Sequence, residues 1–182
     1  MLRHVGFAAA WIAVVLVGMA QSGCQTGDRI ISSSMEPTLH CAKPHPGCEA
    51  KSPDLLQEVR DATLKRGDII SFKAPLRAEV ECGSGGTRLW VKRLIGLPGE
   101  RWSISRGIVY IDGHRLREPY LPPNRRDHFS YPGGRIPKGR YFVLGDNRLL
   151  SCDSRIWGYV PARNVLSHVV AIVRGGRTIK VH

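Results

Sequence analysis

A mainly β domain with antiparallel sheets, preceded by an N-terminal transmembrane helix, is the fold class that this 182-residue sequence predicts. Three observations carry it. From Gly67 onward, short runs rich in Val, Ile, Tyr and Trp are punctuated by Gly, Pro and Asp, the pattern of strands and turns. No long helical pattern alternates with those runs, which argues against a parallel α/β sheet. Residues 5–20 are uncharged and apolar. The length suits one domain plus an anchor, and no internal repeat or low-complexity tract interrupts it.

At the N-terminus, Val5 to Ala20 follows Arg3 and His4. Sixteen helical residues rise about 24 Å, against a hydrocarbon core about 30 Å thick. Gln21 and Ser22 extend the helix toward the interface, so residues 1–22 make a short single span. A cleavable signal peptide ending at the small-x-small run Gly18-Met19-Ala20 fits the same residues equally well. A lipoprotein reading of Gly23-Cys24 is weaker, because Gln21 stands where an apolar residue is expected. Gly23 to Asp28 reads as a polar linker, and a domain over 28–182 follows. Within it, residues 40–66 read as a variable insertion, a Cys, Pro and Gly loop and then a short surface helix. Ser52 is its expected N-cap and Pro53 its first helical position, with Leu55, Leu56, Val59 and Ala62 at helical spacing.

The predicted strands are Asp68 to Lys73, Leu89 to Ile95, Trp102 to Ile111, Tyr141 to Leu144 and Val165 to Val173. Gly83-Ser84-Gly85-Gly86, Asp112-Gly113 and Pro132-Gly133-Gly134 supply breaks, and the residues around Asp112-Gly113 predict a hairpin.

The charge balance, 27 Lys+Arg against 15 Asp+Glu, gives a net +12 and raises nucleic acid or an anionic surface as a partner. The basic residues are scattered and no nucleic-acid module is present. Arg115, Arg117, Arg125 and Arg126, with Tyr120 among them, therefore read as a solvated basic face near anionic lipid. Five cysteines need a compartment. Cys41 and Cys48 are expected to close a small disulfide loop, with Cys82 and Cys152 remaining and Cys24 unpaired. Cys41, His45 and Cys48 beside His40 lack the tight, paired spacing of a zinc site, so no metal is expected. The spacing does not fix which of the four cysteines pair.

The chemistry lies in three segments. Ser34 precedes Met-Glu-Pro-Thr-Leu, and Lys92 stands 58 residues later in Trp-Val-Lys-Arg-Leu-Ile-Gly-Leu-Pro-Gly-Glu. The third runs from Gly145-Asp146-Asn147-Arg148 to Ser151-Cys152-Asp153-Ser154-Arg155. A serine can be activated by a neutral lysine, but an ordinary lysine, with pKa about 10.4, is nearly all protonated at pH 7. Burial against apolar surface would lower that value. Trp90, Val91, Leu94 and Ile95 flank Lys92, yet in a strand Val91 points away from it, so part of the wall must come from elsewhere. By composition alone Lys92 reads as an exposed strand lysine, and Ser34 as the cap of a helical turn.

Taken in order, the three segments resemble the type I signal peptidases, the bacterial and organelle-type leader peptidases with a serine/lysine dyad, from about Ile30 to Val173. The resemblance implies a membrane-bound serine endopeptidase that removes signal peptides from preproteins after Ala-x-Ala-type sites. It implies Ser34 as nucleophile, Lys92 as general base, and Ser32 with the Ser34 backbone N–H as oxyanion donors. Ser151 would orient the lysine amine, while Asp146 with Arg93 and Asp153 with Arg155 would be loop-fixing ion pairs. Ile30, Met35, Leu39, Trp90 and Val91 would wall the pocket. Ser33 departs from the usual glycine between the two serines, a change that restricts the backbone there. The resemblance favours a retained single-pass anchor in the cell membrane, an extracytoplasmic domain, a monomer and no cofactor. Its rivals are a conjugation-type pilin-maturing peptidase and a non-catalytic membrane-anchored binding domain. A self-cleaving repressor would need a DNA-binding N-terminus, and the Ser-x-x-Lys of a β-lactamase is broken by Pro37.

Overall fold

In the computed structural model, residues 25–60, 63–83 and 89–181 are described. The expected anchor over residues 1–22, Cys24 and the Ser84-Gly85-Gly86 turn lie outside them. No helix among the described residues is long and apolar enough to cross a membrane.

The strands are β1 (Gln25–Arg29), β2 (Leu55–Val59), β3 (Ile69–Lys73), β4 (Leu89–Gly96), β5 (Arg101–Ser105) and β6 (Ile108–Ile111). They continue with β7 (His114–Arg115), β8 (Tyr131–Arg135), β9 (Arg140–Leu144), β10 (Val160–Pro161), β11 (Val165–Arg174) and β12 (Arg177–Lys180). Two short helices, α1 (Leu76–Cys82) and α2 (Ser154–Trp157), complete the described elements apart from single 3₁₀ turns. The larger sheet runs β1-β2-β11-β3-β4-β9-β10, with β12 paired to β11, and the smaller runs β7-β6-β5-β8. Every pairing between these strands is antiparallel, as the missing crossover helices require.

Several local expectations change. Leu55–Val59 is a strand, not a surface helix: β1 takes one edge and β11 pairs with the same residues. Its Leu56 is buried with Met35, Leu39 and Ile172. Leu55, Leu56 and Val59 fit either period over so few residues, and sheet pairing decides between them. Likewise, β1 occupies part of the expected linker because β2 offers it an edge. Trp102 to Ile111 is two strands, split where Arg106 (φ 47°) and Gly107 (φ 76°) make the turn. The hairpin at Asp112-Gly113 is present, with Tyr110 opposite Arg115 and both turn residues at positive φ (50° and 80°), as a two-residue type I′ loop demands.

Pro132-Gly133-Gly134, expected as a break, lies inside β8. Gly133 has φ +75°, and a Cβ there would fall 1.7 Å from the Trp102 carbonyl oxygen. The two sheets meet over Ile95, Ile104, Val109, Ile111, Ile136, Phe142 and Leu144. Trp102 stacks on Phe142 at 3.9 Å between ring centroids. A second core holds Ile70, Phe72, Leu94, Val143 and Trp157. Both expected cysteine partners of the small loop are joined, Cys41 to Cys48, and Cys82 is bonded to Cys152.

β4 is the strand that matters for the site. With β3 on one edge along Leu89–Arg93 and β9 on the other from Arg93, it is a central strand over its C-terminal half. Lys92, Arg93, Leu94, Ile95 and Gly96 are consecutively buried, so both faces of the strand are covered there. Gly133→Ala should destabilise the domain by more than about 1 kcal/mol, since it combines a positive φ with backbone overlap; urea unfolding measures it.

Candidate functional site

Ser34 sits in a single 3₁₀ turn, Ser33–Met35, entered from extended Ser32, so it is inside the turn rather than capping it. The turn is held from outside. Asn147 donates its backbone N–H to the Ser34 carbonyl (3.0 Å) and its side-chain amide to the Ser33 carbonyl (3.1 Å). Met35 anchors it below, packed with Ile30, Leu39 and Leu56. Ser33 closes against the Cys41–Cys48 loop, where a Cβ on Gly47 would lie 2.7 Å from the Ser33 hydroxyl oxygen.

Lys92 reaches this turn from β4. Its Nζ lies 2.8 Å from Ser34 Oγ and donates to it, with a second bond to the Val91 carbonyl at 3.1 Å. The residue is 4% exposed. Trp90, on the same strand face, brings its ring centroid to 5.3 Å from Nζ. Burial lowers the Lys92 pKa from 10.5 to about 8, opposed by the charges of Asp153 and Asp146 and aided by Arg155. Desolvation favours the neutral amine, and a neutral amine reverses the hydrogen bond, so that Ser34 O–H donates to nitrogen. That is a hydroxyl aligned to lose its proton. Ser32 Oγ lies 3.1 Å from Ser34 Oγ, which places a second hydroxyl beside the first.

Ser151 departs from expectation. Its side chain is buried, but Oγ makes no hydrogen bond among the described residues and does not bind the Lys92 amine. Lys92 instead spends its contacts on Ser34 and Val91. Ser151 stands close by all the same: a Cβ added to Gly145 would come within 2.2 Å of Ser151 Oγ and 2.4 Å of the Ser34 carbonyl. Only glycine lets these three segments approach so closely.

The expected ion pairs are formed, and they are buried. Arg93 contacts both carboxylate oxygens of Asp146, with Nη2 to Oδ2 at 2.8 Å, and Thr38 donates to the same carboxylate at 2.6 Å. Asp153 accepts from Arg155 Nε at 2.7 Å and from the Gly145 backbone at 3.0 Å, while also capping α2 through the Arg155 N–H.

The sequence reading missed the outer ring of this framework. Tyr120, placed on a solvated basic face, lies under the Arg93 guanidinium at 3.9 Å. Glu118 pairs with Arg148 and with Arg126, and Asp127 pairs with Arg155. Arg125 pairs with Glu49, so two of the four arginines of that face are in ion pairs. Glu118 and Asp127 among the arginines were the available signal, but Arg148 and Arg155 lie 30 and 28 residues away from them.

A cavity of about 490 Å³ opens at the dyad, lined by residues 28–32, Ser34, Met35, Leu56, residues 89–92, Leu150 and the bonded pair Cys82 and Cys152. Ile30, Met35, Trp90 and Val91 are among its lining residues. Leu39 is not; it is fully buried beneath the turn. Replacing Asp146 by Asn should cost about 3 kcal/mol or more, because the buried Arg93 guanidinium loses the carboxylate that it grips with two nitrogens; denaturant unfolding of the variant reads it directly.

The chain matches the family described as signal peptidase, peptidase S26, over residues 3–174. It is 41% identical over 106 residues to the probable signal peptidase I-1 of a Synechocystis strain, covering 57% of this chain and 52% of that protein. It is 33% identical over 153 residues to the signal peptidase I of Bacillus licheniformis, covering 79% of this chain and 73% of that protein. A crystal structure of a signal peptidase I from Enterococcus faecalis superposes with a TM-score of 0.48 at 32% identity, covering 59% of this chain and 97% of that one. The chain spans about half the length of the first two curated relatives it matches. With a match that runs through the Ser34 turn, the Lys92 strand and the Gly145–Arg155 segment, the chain belongs to the signal peptidase family, peptidase S26.

Proposed function

We propose that this protein is a membrane-bound serine endopeptidase that removes N-terminal signal peptides from exported preproteins, cutting after small residues. The observation that carries the reading is the buried 2.8 Å contact between Ser34 Oγ and Lys92 Nζ, made by a lysine whose pKa is lowered to about 8. Residues 1–22 are the single-pass anchor, and the described domain works as a monomer on the extracytoplasmic side. The short connection from the anchor to Ser34 keeps the dyad near the bilayer, where a signal-peptide cleavage site emerges.

The cavity walls support an extended substrate. On one side, residues 28–32 leave β1; on the other, Leu89 to Val91 run along β3 at the start of β4. A peptide strand lying between them would run beside two extended segments. Ile30, Met35, Trp90 and Val91 narrow the space for its side chains, which suits alanine-sized residues.

The steps follow from the geometry. Ser34 Oγ attacks the scissile carbonyl carbon while its proton passes to Lys92 Nζ. The oxyanion sits between the Ser34 N–H and the Ser32 hydroxyl. Lys92 then returns the proton to the leaving amine, which departs with the mature chain. Water, deprotonated by the same lysine, hydrolyses the acyl-serine. Arg93, Asp146, Asp153 and Arg155 hold the strand and loop that present these groups.

Two measurements test this reading. Cleavage of an Ala-x-Ala preprotein in detergent should be lost by about a thousandfold or more in Ser34→Ala and in Lys92→Ala. Full activity in either variant overturns the dyad. The pH dependence has a definite sign. Below pH 8 Lys92 holds its proton and cannot accept another, so kcat/KM should fall about tenfold per pH unit below that point and level off above it. A profile flat through pH 8 rejects Lys92 as the base.

A further inference from the structure

The Cys82–Cys152 disulfide lies where the core of Phe72 and Trp157 meets the substrate cleft. It joins residues 70 apart, and both half-cystines line the cavity that holds Ser34 and Lys92. Its two ends differ in how well they are otherwise fixed. Cys152 stands between buried Ser151 and buried Asp153, the second of which is tied to Gly145 and Arg155. Cys82 ends α1, a helix of seven residues. Among those seven, Ala78 is the one buried residue, while Leu76 and Val80 are 76% and 74% exposed. The Arg77–Glu81 pair on α1 is exposed as well.

A helix this short has little stability of its own, and one alanine buries little apolar surface. The well-braced Ser151–Asp153 segment therefore holds the loosely packed helix through sulfur, on the side where Cys82 and Gly83 face the cleft. The dyad has separate supports in Asn147, Met35, Arg93 and Asp146. Loss of the disulfide should accordingly loosen one wall while leaving the Ser34–Lys92 contact in place.

We propose that the Cys82–Cys152 disulfide is a positioning element for the substrate: it clamps the C-terminal end of α1 against the Ser151–Asp153 segment and so sets the width of the cleft for an extended peptide. The inference rests on the peptidase reading above and deepens it. Reduction by a dithiol would pass two electrons and two protons to the sulfurs, giving two thiols while the reagent closes to its own disulfide.

The experiment compares the full chain in detergent as wild type, as wild type reduced with dithiothreitol after folding, and as Cys82→Ser/Cys152→Ser. Each is assayed on a peptide spanning several residues either side of an Ala-x-Ala site, and amide exchange is followed over residues 76–83. The expected result is a KM about five- to tenfold higher in the double variant and in the reduced wild type, with kcat within about twofold. Faster exchange across α1 should accompany it. Reductant should add little to the double variant, which separates this bond from Cys41–Cys48. An unchanged KM in protein whose thiols at 82 and 152 are proved free by alkylation overturns the proposal, as does unchanged exchange in α1. A double variant that fails to fold leaves the reduced wild type to decide. If even wild type does not cut the peptide, the peptidase reading falls, and exchange over α1 alone decides whether the clamp exists.

Discussion

A lysine that is to be neutral near pH 8 must be kept from water, and much of this fold follows from that requirement. Lys92 is buried because β4 is covered on both faces from Lys92 to Gly96. Trp90 and Leu94, on its side of the strand, belong to the core that includes Phe72, Val143 and Trp157. The other face carries Arg93 and Ile95, the latter in the core between the two sheets. The smaller sheet thus contributes to the site without touching it: by covering the far face of β4 it keeps the strand dry. Desolvation is the largest influence on the amine, and the carboxylates of Asp153 and Asp146 oppose it. Burial outweighs them and brings the pKa of the amine down to about 8.

Those opposing carboxylates are present because they have other work. Asp146 neutralises Arg93, which follows Lys92 in β4 and has almost no contact with solvent. Asp153 holds Gly145, caps α2 and pairs with Arg155. The second partners of this ring come from the segment between β7 and β8: Glu118 for Arg148, Asp127 for Arg155, and the Tyr120 ring under Arg93. Buried charges of this kind stabilise little by themselves, but each is costly to leave without its partner. The loop carrying Gly145 to Ser151 is therefore held in one arrangement, and Asn147 from that loop fixes the Ser34 turn.

Gly145 shows how tight the arrangement is. Its missing side chain is the space in which the Ser34 carbonyl and the Ser151 hydroxyl meet. Among the described residues the Ser151 hydroxyl has no hydrogen-bond partner in that crowd, where a bond to the lysine was expected from the resemblance. The lysine is satisfied from its own strand and from the Ser34 hydroxyl. The disulfide at Cys152 then extends the same braced loop to α1 on the rim of the cleft.

The sequence by itself determined the antiparallel β class, the strands around Ile69, Leu89, Arg140 and Val165, the Asp112-Gly113 hairpin and, through the resemblance of their segments alone, the serine and lysine that meet. Strand periodicity, turn chemistry and motif residues are local properties, so they are written in adjacent positions. It also carried the Arg93–Asp146 and Asp153–Arg155 pairs, through the resemblance of their segments. Tertiary structure decided the rest. Leu55–Val59 became a strand because β1 and β11 lay beside it, and Gly133 entered β8 because β5 passes close enough to exclude a side chain. The burial of Lys92 could not be read from strand alternation, since alternation says which residues share a face and not whether that face is covered. The pairing of Glu118, Asp127 and Cys82 with residues far along the chain was equally hidden, because such contacts exist only once two sheets have packed and brought distant loops to one rim.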